Sequence, residues 1–219
     1  MFFNNLDSAT IIARIIVLVV AFTIHEFAHA WSATRFGDDT PRLSGRLSLN
    51  PLVHLDPLGS LVLLFAGFGW AKPVPVNPYA LTRRHPSGFM WVAAAGPISN
   101  FFLAIFAALI FRLGIANLYE GYAASQGFFP SFPQVMLEFI YINLVLMVFN
   151  LIPLSPLDGE KVLSYLAPGG LSGFMDAIRP YGPMILMLII FVGPMIGFDL
   201  ISKILGPTVQ TLLFVLVGL

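Results

Sequence analysis

The 219-residue chain has no cysteine, which excludes a disulfide framework, a thiolate metal site and a cysteine nucleophile. Charge is also scarce, because Asp, Glu, Lys and Arg make up only 10% of the residues, against roughly 25% in an ordinary soluble domain. The 11 basic and 11 acidic residues cancel, so the chain lacks the basic excess typical of nucleic-acid-binding proteins. We expect no nucleic-acid partner, and any metal must be held by His, Asp or Glu.

What the chain has in excess is apolar surface. Hydrophobic residues make up 58% of it, and the mean hydropathy is +0.87. A body of this size cannot bury so much apolar surface, so many side chains must face a lipid bilayer, which excludes a soluble globular enzyme and a disordered chain. We predict an all-α polytopic membrane protein that forms one domain over residues 1–219, with a core at about 11–165 and C-terminal helices at about 180–219.

A helix needs about 20 apolar residues to cross the hydrocarbon core of a bilayer. Segments of about this length lie at 11–33, 89–111, 135–154 and 180–198. Segment 204–219 carries no charge and is interpreted as a short final span or an interfacial helix. Segment 58–70 has only 13 residues, about 20 Å as a helix, and is interpreted as re-entrant. The prediction is about five to six transmembrane helices plus this re-entrant segment.

The basic residues indicate how these spans are oriented. Eight of the eleven lie in segments 34–57, 71–87 and 155–179, whereas segment 114–134 has none. Because cytoplasmic loops carry an excess of Lys and Arg, we predict that the three basic segments are cytoplasmic and that 114–134 lies outside. This orientation requires segment 58–70 to enter the membrane and return on the same side, in agreement with its length.

The loop after the re-entrant segment alternates proline and valine in the sequence WAKPVPVNP, residues 70–78. Proline has no backbone donor and is confined to edge positions in sheets. We therefore predict an extended strand or a short hairpin in this loop.

Three ionisable residues lie close together inside the first predicted span, His25, Glu26 and His29 of the sequence HEFAH. Such residues are costly in a membrane and are functional by default. His25 and His29 are four residues apart, so on a helix they project from one face and can bind one ion. Glu26 lies ~100° around the helix from His25, beside the ion but not as a ligand. Zinc suits imidazole nitrogen and four-coordination, and mere packing of these groups is disfavoured because an unpaired Glu26 would be too costly.

Two histidines leave room for a third protein ligand. The acidic candidates are Asp38, Asp39, Asp56, Asp158 and Glu160. Asp158 follows the 135–154 span, after a stretch in which Pro153 and Pro156 break the helix, and irregular backbone at this depth must line a polar cavity or be buried in protein. Its predicted depth and side therefore match those of the histidines. The candidates before residue 57 lie in what we interpret as a solvated loop, where they contribute to solubility.

The HEFAH motif at 25–29, together with the late sequence NLIPLSPLDG at 150–159, resembles the site-2 protease family of intramembrane zinc metalloproteases. The chain is most similar to the compact bacterial and archaeal type without PDZ or CBS domains. Segments 37–51, 72–77 and 96–100 also resemble that group.

The resemblance implies a zinc metalloendopeptidase that hydrolyses peptide bonds within or near transmembrane segments of membrane proteins. By position, His25, His29 and Asp158 would bind one Zn2+ per chain. Glu26 would be the general base for zinc-activated water, and Asn150 would line the site and help to hold the oxyanion. The implied location is the cell membrane, multi-pass, with the active site towards the cytoplasmic side. The implied partner is a transmembrane protein or peptide, whereas its identity and the oligomeric state are left open.

Two other functions are compatible with parts of the pattern. A membrane metal transporter would use the same His and Asp cluster as a transit site. Substitution of Glu26 distinguishes the two, because a protease would lose turnover but not metal. A catalytically inactive membrane scaffold is disfavoured, since all the expected chemical positions are present.

Several further residues have open interpretations. His54 and Asp56 suit a lid, a second polar shell around the site or a replacement ligand. Asn100 is interpreted mainly as a hydrogen-bonding residue between helices, with a side chain turned towards the cavity as the alternative. Segment 73–76 is equally well interpreted as an edge that accepts a substrate strand and as an inert proline-rich connector.

Overall fold

The computed structural model describes residues 7–59, 70–123, 127–167 and 169–218. Its α-helices are α1 (Ser8–Arg35), α2 (Thr40–Leu43), α3 (Pro78–Arg84), α4 (Gly88–Arg112), α5 (Leu118–Tyr122), α6 (Phe132–Asn150), α7 (Asp158–Leu166), α8 (Gly169–Ile178), α9 (Gly182–Met187), α10 (Gly193–Met195) and α11 (Leu200–Val217), with 3-10 turns at Pro51–Val53 and Arg179–Tyr181 and a π-helical stretch at Leu188–Val192. The β-pairing within the described residues is a single isolated antiparallel bridge between Leu55 and Ala71. The all-α prediction is confirmed, and the hairpin at 70–78 stays a prediction.

Four helical stretches are long and apolar enough to cross a bilayer. They are Ser8–Arg35, Gly88–Arg112, Phe132–Asn150 and Gly173–Met195. A shorter apolar helix follows at Ser202–Val217. These helices mark the chain as a membrane protein. Most of the segment predicted to be re-entrant, residues 60–69, lies outside the described residues.

Helix α1 begins where Asp7 accepts a hydrogen bond from the Thr10 amide (2.7 Å), as expected of an N-cap residue. Soon after its end comes Gly37, whose φ of 91° is open to glycine and rare for other residues. Fully buried small residues recur every four positions: Ala9, Ala13, Val17 and Ala21. Residues at this spacing share one face of a helix, and small side chains there let membrane helices approach closely.

Helices α1 and α6 run in the same direction. Gln134 donates a hydrogen bond to the Thr10 hydroxyl (3.1 Å). Four residues further along both helices, Arg14 forms an ion pair with Glu138 (3.2 Å). A charged residue inside a membrane span requires a partner of opposite charge. The ion pair between Arg14 and Glu138 therefore allows each helix to carry one charged residue.

Helix α4 packs against α1 and α6 and runs in the opposite direction to both. Val92, near its start, accepts a hydrogen bond from His29 near the end of α1. Asn100, two turns further along α4, contacts His25 one turn earlier in α1. The first half of α4 therefore lies against the turn of α1 that carries the HEFAH motif.

Helix α11 packs against α4 and α6, and it runs parallel to α4. Arg112, the last residue of α4, donates hydrogen bonds to the carbonyls of Val215 and Leu216 in the last turn of α11, so the two helices end at the same level. The buried apolar residues between these helices are Ala104, Ala107, Ala108, Phe111, Ile140, Leu144, Val209 and Val217. This core stabilises one end of the bundle, and the polar site lies towards the other end.

Candidate metal centre

Three side chains of metal-ligand type converge between α1 and the start of α7. His29 Nε2 lies 3.0 Å from His25 Nε2 and 3.1 Å from Asp158 Oδ2, and His25 Nε2 lies 3.3 Å from the same oxygen. The exposed fractions of His25, His29 and Asp158 are 5%, 8% and 9%. Across the described part of the chain, these three form the one group of His, Asp or Glu side chains close enough together to bind a metal ion.

The spacing of these atoms fits a zinc ion. Two ligands of a tetrahedral zinc, with bonds of about 2.0–2.1 Å, lie about 3.3 Å apart, near the 3.0–3.3 Å observed. His29 Nδ1 donates to the Val92 carbonyl (2.7 Å) and His25 Nδ1 donates to Asn100 Oδ1 (2.6 Å). In the neutral imidazole that metal binding requires, this leaves the lone pair of each ring on Nε2. Two nitrogen lone pairs and a carboxylate oxygen would then converge on one point, which is the donor set that a zinc ion binds.

A buried chain of hydrogen bonds behind His25 connects three helices. Asn100 of α4 accepts from His25 and donates to Asn143 Oδ1 of α6 (2.8 Å), and Asn143 donates to the Phe139 carbonyl (2.8 Å). Both asparagines have no exposed surface. Partners of this kind fix the tautomer and the ring orientation of metal-binding histidines. The sequence interpretation of Asn100 is mainly that of a helix-packing residue, and the structure shows that it also orients His25. The feature of the sequence that points to it is an amide side chain within a charge-free span.

Gly96 supplies the space beside the two histidine rings. A Cβ atom at this position would lie 2.6 Å from His25 Nε2 and closer still to His29 Nε2. Any side chain on this residue would therefore occupy the position that faces the lone pairs. The sequence GPISN at 96–100 contains this glycine, but the reason for a glycine at this position is the close contact between α1 and α4.

Asp158 reaches the histidines because a tight loop precedes it. It is the first residue of α7, and a Cβ on Gly159 would lie 2.6 Å from the Ile152 carbonyl oxygen, so glycine is required where the loop folds back. Lys161 Nζ lies 3.3 Å from Asp158 Oδ1, while Oδ2 faces the histidines. Burial raises the pKa of the Asp158 carboxyl, but the two histidines hold that pKa well below its usual range. Asp158 is therefore suited to be an anionic ligand.

Glu26 follows His25 directly in the sequence but contacts a different set of residues. It is buried, with 8% of its surface exposed, and it is not one of the three converging side chains. Its Oε2 accepts a hydrogen bond from the Val74 amide (3.2 Å) and lies 4.0 Å from Arg46 Nη2. Burial lowers the pKa of the Arg46 guanidinium, and the Glu26 carboxylate opposes that shift.

The irregular segment 72–77, which we call the strap, lies against the Glu26 end of this site. Its amide at Asn77 donates to Asp38 Oδ2 (2.6 Å), and Asp38 Oδ1 accepts from the Thr40 amide (3.0 Å). Only 2% of Asp38 is exposed. The interpretation of Asp38 as a residue of a solvated loop is therefore wrong, because the loop after α1 packs against the strap and buries this carboxylate.

The described side-chain hydrogen bonds of Asn150, His54 and Asp56 lie within their own segments. Asn150 ends α6, and its Nδ2 donates to the Leu146 carbonyl of the same helix (3.0 Å). His54 is fully buried and donates from Nε2 to the Ser48 carbonyl (2.7 Å). Asp56 Oδ1 accepts an amide three residues further along the chain (2.7 Å). The role predicted for Asn150 stays a prediction, while His54 and Asp56 hold the loop after α1 in shape.

Comparison with known proteins places this site in context. No family model and no solved structure matches the chain. It is 41% identical over 209 residues to "Putative zinc metalloprotease YwhC" of Bacillus subtilis, which covers 91% of this chain and 93% of that protein. It is 32% identical over 160 residues to "Putative zinc metalloprotease Rip2" of Mycolicibacterium smegmatis, over 68% of this chain and 57% of that protein.

A more distant match covers only part of this chain and part of the related protein. The chain is 32% identical over 120 residues to "Regulator of sigma-E protease RseP" of Escherichia coli, over 48% of this chain and 26% of that protein. The match to the Bacillus subtilis protein extends over nearly the whole of both chains. The chain belongs to the site-2 protease family of intramembrane zinc metalloproteases.

Proposed function

We propose that this chain cleaves peptide bonds within or near transmembrane segments of membrane proteins, through one zinc ion bound by His25, His29 and Asp158. The observation that carries the proposal is the convergence of three buried atoms of metal-ligand type at 3.0–3.3 Å. When bound, zinc supplies a water molecule of lowered pKa and polarises the scissile carbonyl. The relatives named as zinc metalloproteases support this choice of metal.

In this proposal Glu26 holds the proton that moves during the reaction. The Val74 amide occupies one lone-pair site of Oε2, and a carboxylate offers about four such sites. Glu26 can therefore keep this hydrogen bond while it takes a proton from the attacking water. It then passes the proton to the leaving amine, as a general base that becomes a general acid.

We assign Asn150 to the substrate oxygen. Its Nδ2 donates to Leu146 within α6, so a role in holding the oxyanion requires the amide to exchange this acceptor for the developing negative charge. Such a donor is most effective when it is already placed in a site from which water is excluded.

We place the active site towards the cytoplasmic side. Segments 34–57 and 71–87, which adjoin it, carry six of the eleven basic residues, and basic loops favour the cytoplasm. A cavity of about 540 Å³ lies between these segments, and Arg46, Asp56 and Lys72 are among its lining residues. Arg46 also approaches Glu26 to 4.0 Å, so one side chain separates this cavity from Glu26.

We further propose that α11 crosses the membrane and that Gly173–Met195 does not. Helix α11 ends at the level where α4 ends, because Arg112 contacts its last turn. If Gly173–Met195 crossed after α6, α11 would have to run antiparallel to α4, contrary to that contact. The cysteine-free chain permits the test: a single cysteine at Gly218 should react with a membrane-impermeant thiol reagent from the same side as one at Gly114. Reaction from opposite sides would refute this topology.

The experiment that tests the activity uses the purified protein and a single-span membrane substrate. We expect cleavage by the wild type with zinc, and a loss of about 10²–10⁴-fold in turnover for Glu26→Gln, the range for general acid–base groups, with the zinc content unchanged. Glu120→Gln, at an exposed residue, is the matched control and should retain full activity. Zinc flux into sealed vesicles, without cleavage of any tested membrane helix, would instead indicate a transporter.

A further inference from the structure

Arg46 is buried in a position where a solvated charge was expected. Only 4% of its surface is exposed, although it lies in a loop whose basic residues were interpreted as orienting the protein in the membrane. A buried guanidinium is costly unless it is paired and hydrogen-bonded. Its described partners are the Glu26 carboxylate, 4.0 Å away, and the Lys72 carbonyl, to which Nη2 donates a hydrogen bond.

These two partners belong to the two elements that meet at the active site. Lys72 begins the strap, and two residues later the Val74 amide donates to Glu26 Oε2 (3.2 Å). Pro73 lies between them and has no amide hydrogen. Arg46, Lys72, Val74 and Glu26 therefore form a closed ring of contacts, in which Arg46 approaches the same carboxylate oxygen that the strap contacts.

The rest of the strap is also fixed by buried groups. The Lys72 amide donates to the His54 carbonyl (2.7 Å), and the Asn77 amide donates to Asp38 (2.6 Å). Val74 has the one amide hydrogen in the stretch from Pro73 to Pro75. While this amide is hydrogen-bonded to Glu26, the stretch has no backbone donor left for pairing with a substrate strand. The strap is thus built to contact Glu26 as well as to line the cavity.

We propose that Arg46 is a positioning residue for catalysis, which fixes the Glu26 carboxylate and the strap relative to each other. This inference rests on the proposed function, in which Glu26 is the general base. At 4.0 Å the guanidinium is beyond the roughly 2.7–2.9 Å of a charge-assisted hydrogen bond, so it acts on Glu26 through its charge and on the strap through the Lys72 carbonyl. Arg46 has no described contact with the metal-binding atoms, so it is not a ligand.

Three substitutions separate the two contributions of Arg46. Arg46→Lys keeps the positive charge, Arg46→Gln keeps a donor without the charge, and Arg46→Ala removes both. We expect kcat to fall about 10- to 100-fold for Arg46→Gln, the scale for a misplacement of about 1 Å at a reacting group, with Arg46→Lys intermediate and Arg46→Ala lowest. The zinc content and KM should change less than twofold, because the described contacts of Arg46 are with Glu26 and the Lys72 carbonyl and not with the metal-binding side chains.

Arg42→Gln is the matched control, since it removes the same charge from the same loop at an exposed residue; it should have wild-type kcat. If Arg46→Gln does not fold, the comparison of Arg46→Lys with wild type decides, and a drop in kcat at constant KM and zinc content supports the proposal. Wild-type kcat in Arg46→Gln, or an effect on KM alone, would overturn it. If the Glu26→Gln variant remains active, the proposed function itself fails. If Glu26→Gln is inactive but Arg46→Gln is fully active, only the role proposed for Arg46 is rejected.

Discussion

Replacement of Gly96 by alanine should remove zinc from the protein while leaving the helices intact. The added Cβ would lie 2.6 Å from His25 Nε2, whereas ordinary van der Waals contact begins at 3.4 Å. Relief of this overlap requires a displacement of about 0.8 Å between α4 and the histidine, which exceeds the tolerance of about 0.2 Å in metal–ligand distances. The methyl group also occupies the side of the histidines on which their lone pairs lie. We expect zinc affinity to fall by at least about 100-fold, the upper range for disturbed metal surroundings.

The assay is a competition titration of purified protein with a zinc chelator, with circular dichroism as a measure of helix content. Gly206→Ala is the matched control, because Gly206 lies within α11 and a Cβ there meets no atom within 4 Å. Alanine favours helix over glycine by about 1 kcal/mol, so this control should be folded and should bind zinc normally. Wild-type zinc affinity and full cleavage activity in Gly96→Ala would refute the assignment of the metal to the space beside this glycine.

Three further predictions concern the site and the helix bundle that holds it. Asn100→Ala removes the acceptor of the His25 Nδ1 proton (2.6 Å), so zinc affinity should fall about 10- to 100-fold in the same titration; an unchanged affinity would contradict the orienting role. Removal of zinc by a chelator should abolish cleavage and added zinc should restore it, whereas Asp158→Asn should bind zinc at least tenfold more weakly and recover little activity. Arg14→Leu should destabilise the protein by up to about 3 kcal/mol, because it leaves Glu138 without its ion-pair partner, and the double variant Arg14→Leu/Glu138→Leu should recover much of the loss in a thermal unfolding assay in detergent.

Several parts of the site could be predicted because they depend on local geometry. A spacing of four residues places His25 and His29 on the same helix face in any α-helix, and the composition requires a membrane environment for that helix. The approach of Asp158 to the two histidines was predicted from the preceding span and the proline-broken stretch after it, and the three side chains do converge. The sequence could not give the 3.0–3.3 Å convergence of these side chains, because it depends on how α1, α4 and α7 pack.

Charge counts did not distinguish buried from solvated residues in the loop after α1. Arg46 and Asp38 lie in a loop whose composition is typical of a solvated segment, but only 4% and 2% of their surfaces are exposed. They are buried because the strap, some thirty residues further along the chain, packs against them. The sequence by itself determined the membrane class of the protein and the type of chemistry, since both depend on residue types and on the period of a helix. The tertiary structure decided which residues surround the candidate site, namely Asn100 behind His25, Gly96 beside the rings and Arg46 beside Glu26. Their roles arise from contacts between residues far apart in the chain, which no local pattern specifies.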